Sequence, residues 1–363
     1  MAAMLVSGIT GTLGSAIGPK LKERCYFLVR GGRDRPNLSL DYGQVIKGDI
    51  TRPLCDVSQE DLSLLKQEGI DKILHIAASV KFDENLSEEI FAINLTGTKN
   101  ILDLAKCLGV REFHYISTAY ASTSRNPYER SKAAAEELVK ASGIKYNIYR
   151  PSVLVGDSRT GEISDFNGFY GGCAGLYLLA ERDRIKRGYD GEVSYPLCMV
   201  CSSTSTINLV PVDWVSETIL KLMRLGVRNE IYNITHPNPP NVRWVMDTGF
   251  KVLGIRGIRY LEGWEKKPVS DDDSFPVQKR ADSILTRYIP YVTEEAVFDL
   301  DTTKRALAEN FFAPPDITAD FLAMLLKYAA QKNFGHLRRR RSSTRSEPSL
   351  TAGSLVSQAA AAV

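Results

Sequence analysis

The tightest constraint on this chain lies near its amino terminus. A short apolar run, Met4-Leu5-Val6-Ser7, enters Gly8-Ile9-Thr10-Gly11-Thr12-Leu13-Gly14 and continues into the helical Ser15-Ala16-Ile17-Gly18-Pro19-Lys20-Leu21-Lys22. Glycines three apart at a strand-to-helix turn have separate duties. Gly8 permits a tight turn, Gly11 lets backbone approach a pyrophosphate, and Gly14 lets the helix pack on the sheet, with phosphates held at the helix amino terminus. The spacing differs from the commoner G-x-G-x-x-G, and a glycine-rich turn can be an ordinary loop. Its place between strand and helix is what favours dinucleotide binding.

Downstream, short apolar runs alternate with helical stretches. In a chain of 363 residues with 44% hydrophobic content, this predicts an α/β fold with a large core. The expected architecture is a doubly wound parallel sheet, Rossmann-like, with a smaller substrate lobe and a disordered C-terminal tail. Residues 1–160 with about 204–235 form the expected dinucleotide-binding domain, 161–203 with 236–335 the lobe, and 336–363 the tail.

The strand Tyr26-Phe27-Leu28-Val29 ends on Arg30, where an NAD-preferring site would place a carboxylate for the ribose 2'-hydroxyl. Arg30 and Arg33 offer guanidinium donors suited to a 2'-phosphate, which favours NADPH, although both can also be read as solvated loop charges. The strand Gln44-Val45-Ile46-Lys47 precedes Asp49 and Ile50. Lys72-Ile73-Leu74-His75-Ile76 leads to Ala77-Ala78-Ser79, small residues that let a cofactor pass close to the sheet. A long helix over 87–108 contains Asn94. Glu112-Phe113-His114-Tyr115-Ile116 ends on the hydroxyls of Ser117 and Thr118. Tyr128 and Lys132 then stand four apart at the start of a strong helix, so a lysine cation lies beside a phenol. A free phenol titrates near pH ~10, so proton transfer at neutral pH benefits from a nearby positive charge. Alone, this spacing is also what two exposed helical residues would show.

Together these motifs resemble the extended short-chain dehydrogenase/reductase superfamily over roughly the first 235 residues. Leu28-Val29-Arg30, Ser117-Thr118-Ala119-Tyr120, Arg150-Pro151-Ser152-Val153-Leu154-Val155-Gly156-Asp157 and Asn208-Leu209-Val210-Pro211-Val212-Asp213-Trp214-Val215 are most similar to its thioester reductase and fatty acyl-CoA reductase branch, the male-sterility type. The resemblance implies an NADPH-dependent reductase that transfers hydride to an acyl thioester, on CoA or an acyl carrier protein, or to the derived aldehyde. Tyr128 would be the general acid, Lys132 would lower its pKa and hold the nicotinamide ribose, and Thr118 would polarise the carbonyl, with Ser117 as its rival. Asp49 and Ile50 would lie on the adenine side, and Pro151 and Val153 near the carboxamide. Cofactor contacts are further expected from Gly8, Thr10, Gly11, Thr12, Leu13, Gly14, Ala77, Ala78 and Ser79. Asn94 would tie the catalytic helix to solvent or serve as a structural amide.

One departure stands out. The branch usually has a longer loop before the catalytic tyrosine, whereas here only residues 119–127 intervene, a span that reaches about 30 Å when extended. A trimmed loop suits a large or carrier-delivered substrate. Two other classes remain open on the same scaffold: a ketone or aldehyde reductase, and a sugar-nucleotide epimerase or dehydratase.

The net charge of +3 gives the body no nucleic-acid footprint. A first strand beginning by Met4 leaves no room for a signal peptide, and no apolar run is long enough to span a membrane, so a cytoplasmic enzyme is expected. The six cysteines are scattered. Cys198 and Cys201 lack a second ligand pair, so no metal is expected. His75 and His114 read as core residues. The run from Asp165 to Gly172 suits a pocket wall or core packing, 207–210 a returning sheet strand, and 317–331 an amphipathic helix packed on the lobe. The arginine run Arg338-Arg339-Arg340-Arg341 reads as a solvated tail or a contact for an anionic surface.

Overall fold

The computed structural model describes residues 3–31, 42–262, 276–294 and 297–336. Arg33, most of the polar stretch from Pro268 to Pro276 and the arginine-rich tail lie outside the described residues. Seven parallel strands form the main sheet. They are β1 (Ala3–Ser7), β2 (Arg24–Val29), β3 (Gln44–Lys47), β4 (Ile70–His75), β5 (Glu112–Ile116), β6 (Lys145–Pro151) and a last strand, Glu230–Ile234. Across the sheet the order is Glu230–Ile234, β6, β5, β4, β1, β2, β3. The direction of winding therefore reverses between β1 and β4, and such a switch point opens a crevice at the carboxyl ends of the two strands.

β1 is buried along its whole length, as a central parallel strand must be. Its alternate side chains feed two separate cores. Met4 and Val6 pack with Ile9, Leu13 and Ile17 of the glycine turn and of helix α1 (Thr12–Ile17), and with Trp214 and Ile219. Ala3 and Leu5 face the opposite layer, with Ile101, Leu104, Ala135 and Val139. That layer is built from helices α2 (Gln59–Gln67), α4 (Gly97–Leu108) and α5 (Pro127–Lys140).

The long helix expected over 87–108 is interrupted. α3 (Ser87–Phe91) passes through a π-turn, Ala92–Thr96, before α4 begins. Asn94 sits in that turn and is 1% exposed. The strand expected at 207–210 is Leu209–Pro211 and lies outside the seven-stranded sheet, whose returning strand is Glu230–Ile234. In Glu230–Ile234 only Tyr232 and Ile234 are fully buried, so its polar, edge-strand composition gave little apolar signal.

The chain divides into two compact units, Met1–Leu154 with Val210–Pro237 and Phe298–Pro314, and Val155–Leu209 with Asn238–Val297 and Pro315–Val363. The first contains the sheet. It also claims Phe298–Pro314, which sequence reading placed in the lobe. Thr303 Oγ1 donates to the Asn233 carbonyl at 2.6 Å, Trp214 Nε1 donates to the Phe312 carbonyl at 3.0 Å, and Leu307 joins the sheet core. In the second unit, Phe166 packs against Tyr170, Tyr328 and Phe334, and the Tyr170 hydroxyl accepts from Gly156 N at 3.0 Å. The aromatic end of the Asp165–Gly172 run is thus core packing. Phe321, Leu322, Leu325 and Leu326 of helix Ala319–Gln331 are buried. Among the described residues no helix is long and apolar enough to cross a membrane.

Candidate active site

The three glycines of the first turn are not equivalent. Gly8 has φ +78°, and a Cβ there would fall 2.3 Å from Ala77 N. A Cβ on Gly14 would fall 2.1 Å from the Gly8 carbonyl oxygen. Both positions are therefore fixed by close packing of the chain on itself. Gly11 is exposed, has φ −84°, and would place a Cβ no nearer than 3.5 Å to its closest neighbour. Nothing among the described residues requires glycine there, so the open space suits a ligand that approaches the turn. Gly11 also caps α1 with no side-chain hydrogen bond. This backbone, with Ala77 and Ala78 across the switch point, fits a dinucleotide pyrophosphate.

The other expected cofactor positions fall along the carboxyl edge of the sheet. Thr10 is exposed and Thr12 partly so, whereas the Leu13 side chain is buried in the core, leaving only its backbone for a ligand. Arg30 is exposed at the end of β2. Asp49 and Ile50 are partly exposed beyond β3. Asp49 Oδ1 accepts from Thr51 N at 2.9 Å and from Thr51 Oγ1 at 2.8 Å. Although burial opposes it, these bonds and the Arg30 and Arg52 charges hold the Asp49 carboxyl below its usual range. Pro151 is buried at the end of β6, and Val153 beyond it is partly exposed.

Helix α5 begins where its sequence dictates. Asn126 caps it by accepting from Glu129 N at 3.0 Å, Pro127 occupies the first turn, and an alanine run carries it onward. Glu129, fully buried, also accepts from Thr123 Oγ1 and Arg125 N at 2.7 Å each, which braces the short loop before Tyr128. Tyr128 is partly exposed, and its phenol lies within hydrogen-bonding reach of the Thr118 side chain. Ser117 points elsewhere, donating to Glu136 Oε1 at 2.5 Å. The two neighbours on the strand end are thereby separated, with Thr118 beside the phenol and Ser117 behind it.

Lys132 turns toward β5. It is 2% exposed, donates to the Ile116 carbonyl at 2.5 Å and lies 4.2 Å from the centre of the Tyr115 ring. Burial pushes the phenol up to about 12, opposed by the Thr118 hydrogen bond and aided by the Glu129 charge. Burial also pushes Lys132 down to about 7, opposed by Glu136. Desolvation is the largest influence on both groups. At neutral pH the phenol keeps its proton, which is the state a general acid needs.

Asn94 joins this site to the switch point. Its Oδ1 accepts from Ser79 N at 2.7 Å, and its Nδ2 donates to the Ser79 carbonyl and to Ser131 Oγ, each at 2.9 Å. The π-turn is what aims this amide between the loop after β4 and helix α5. His75 is a satisfied core residue, with Nδ1 2.6 Å from Ser7 Oγ and Nε2 3.1 Å from Thr98 Oγ1. His114 Nδ1 lies 2.9 Å from the Tyr149 hydroxyl. The six cysteines are unpaired, and no group of three potential metal ligands occurs among the described residues. Sequence reading missed Glu136 and Glu129, which share α5 with Tyr128 and Lys132 but resemble solvated helical acids in composition.

Comparison with known proteins identifies the family and the fold. The sequence profile of the male sterility protein family, an NAD-binding family, matches residues 6–127 and 121–219. Fatty acyl-CoA reductase 1 of Xenopus laevis is 26% identical over 291 residues, covering 60% of this chain and 53% of the relative. The chain thus spans about half the length of that relative. The terminal R domain from the myxalamid PKS-NRPS biosynthetic pathway superposes with a TM-score of 0.74 at 23% identity, covering 92% of each chain. A thiolation-reductase di-domain from an archaeal non-ribosomal peptide synthetase gives a TM-score of 0.67 at 19% identity, covering 92% of this chain and 76% of the other. Both structural likenesses concern the fold.

Proposed function

The chain belongs to the male sterility protein family of extended short-chain dehydrogenase/reductases, and on that premise we propose that it is an NADPH-dependent reductase of acyl thioesters, carried on CoA or on an acyl carrier protein. The observation that carries the reading is the meeting of Thr118 and a protonated Tyr128 at the carboxyl edge of the sheet, with Lys132 one turn deeper on the same helix. The fatty acyl-CoA reductase relatives and the thiolation-reductase di-domain support the substrate class.

When bound, the nicotinamide supplies a hydride to the carbonyl carbon. Arg30, exposed at the end of β2, recognises the 2'-phosphate. Thr118 orients the carbonyl oxygen and Tyr128 gives it a proton. The phenolate left behind is costly in a desolvated site, and Thr118 and the Lys132 ammonium stabilise it until a proton returns from solvent past the exposed side of the ring. The carbon–sulfur bond then breaks, and the thiol leaves with a proton as the aldehyde forms. In this reading the sheet unit holds the dinucleotide. Six unpaired cysteines suit a reducing, cytoplasmic setting.

The test is a substrate panel of acyl-CoAs, carrier-bound acyl chains, aldehydes and ketones, followed by NADPH oxidation. Acyl thioesters are expected to be turned over, with release of thiol, and NADH to serve poorly. Reduction confined to ketones, or protein isolated with tightly held NAD and catalysing no net oxidation, would overturn the reading.

A further inference from the structure

Glu136 lies on the catalytic helix one turn beyond Lys132, and the reaction outlined above leaves it without a task. Its side chain is 1% exposed. Oε1 accepts from Ser117 Oγ at 2.5 Å and from Arg150 Nε at 2.8 Å, and Oε2 accepts from Arg150 Nη2 at 2.6 Å. One carboxylate therefore joins α5 to the end of β5, directly before Thr118, and to β6. Burying such a group is costly, and the bidentate guanidinium with the added serine bond is the kind of geometry that offsets the cost.

Several groups face Lys132. From α5 come Tyr128 one turn before it and Glu136 one turn after. From β5 come the Tyr115 ring and the Ile116 carbonyl. His75 of β4, whose protonation is disfavoured first by burial and then by the Lys132 charge, is neutral, and Arg150 of β6 stands behind Glu136. Among these, Glu136 alone carries negative charge. Glu136 and Lys132 stand four residues apart on one helix face and are both buried, so each feels the charge of the other.

Resting on the proposed reduction, we infer that Glu136 is a positioning residue: its carboxylate compensates the buried Lys132 ammonium and, through Ser117, fixes the Thr118 end of β5 against the catalytic helix. Arg150 sets how much of that charge Lys132 feels, because the two cations share one anion. Glu136 touches neither substrate nor cofactor in this role. It determines the pH range over which Lys132 is charged.

The experiment measures NADPH binding by nicotinamide fluorescence, and turnover on an acyl-CoA, across pH 6 to 9 in wild type and three variants. Glu136→Gln keeps the shape and removes the charge, and its alkaline limb is expected to move down by at least about one pH unit in both profiles. Arg150→Gln uncovers the carboxylate and moves the limb up. Ser117→Ala changes no charge, so it lowers kcat with the limb unmoved. Opposite shifts from two variants that each break the same ion pair are not what lost stability alone produces. A Glu136→Gln limb coinciding with that of wild type overturns the inference, however slow the variant. If that variant does not fold, an unmoved limb in Arg150→Gln overturns it equally. A wild type that binds NADPH yet reduces no thioester would sink the proposed function alone, because the binding profiles still report on Lys132.

Discussion

The glycine turn after β1 and the catalytic helix α5 lie in one unit but are built in opposite ways. The turn works by leaving side chains out. Gly8 and Gly14 are packed so closely that no Cβ fits, and Gly11 leaves a space that the protein itself does not fill. The helix works by burying polar side chains, Lys132, Glu136 and Glu129, each with partners on another element or on the loop before it. A cradle made of backbone is indifferent to pH and intolerant of added atoms. A cluster made of buried charges tolerates shape and is sensitive to pH.

The largest effect that separates the two regions should be the acid response. His75, beneath Lys132, has its pKa pushed down to about 3, first by burial and then by the Lys132 charge. The unfolded chain takes up this proton near pH ~6.5 and the folded one does not, so its contribution to stability is present above pH ~6.5 and lost as pH falls toward 3. The loss is on the order of 4 kcal/mol, measurable by urea unfolding across that range. In His75→Gln the slope should flatten. An unchanged slope would mean that the buried cluster is not what acid attacks. Next in size, Gly14→Val should cost at least ~3 kcal/mol, because its Cβ meets backbone at 2.1 Å, and the melting temperature should report it at any pH.

Smaller effects fall on binding. Arg30→Ala should weaken NADPH by about 10- to 100-fold while leaving NADH nearly unchanged, since one charge-assisted hydrogen bond contributes roughly 1.5–3 kcal/mol. Equal losses for both dinucleotides would remove Arg30 from phosphate recognition. The smallest change, Gly11→Ala, should leave the melting temperature in place, because its φ of −84° suits alanine and its nearest neighbour is 3.5 Å away. It should nonetheless weaken dinucleotide binding by up to about 10-fold. A stability loss in Gly11→Ala with unchanged affinity would invert the comparison.

The difference between the regions also explains what could be read in advance. Backbone requirements leave their mark on residue type, so glycine spacing, the small Ala77-Ala78 pair and fully apolar strands were legible over the sheet unit. The site's outline was legible too, since Thr118, Tyr128 and Asn94 do gather near the switch point. Partnership was not. Ser117 and Thr118 look alike in a string, and only the tertiary position of Glu136 distinguishes them. Nor does spacing reveal desolvation, or that Lys132 donates to the Ile116 carbonyl. The packing of Phe298–Pro314 on the sheet unit is hidden for the same reason, because contacts such as Trp214 to Phe312 join residues far apart in sequence.

The most direct measurement is a single-turnover experiment with Tyr128→Phe, NADPH and an acyl-CoA. If the phenol is the proton donor, NADPH binds as it does to wild type while hydride transfer slows by at least ~10²-fold. Hydride transfer at the wild-type rate in that variant would contradict the account.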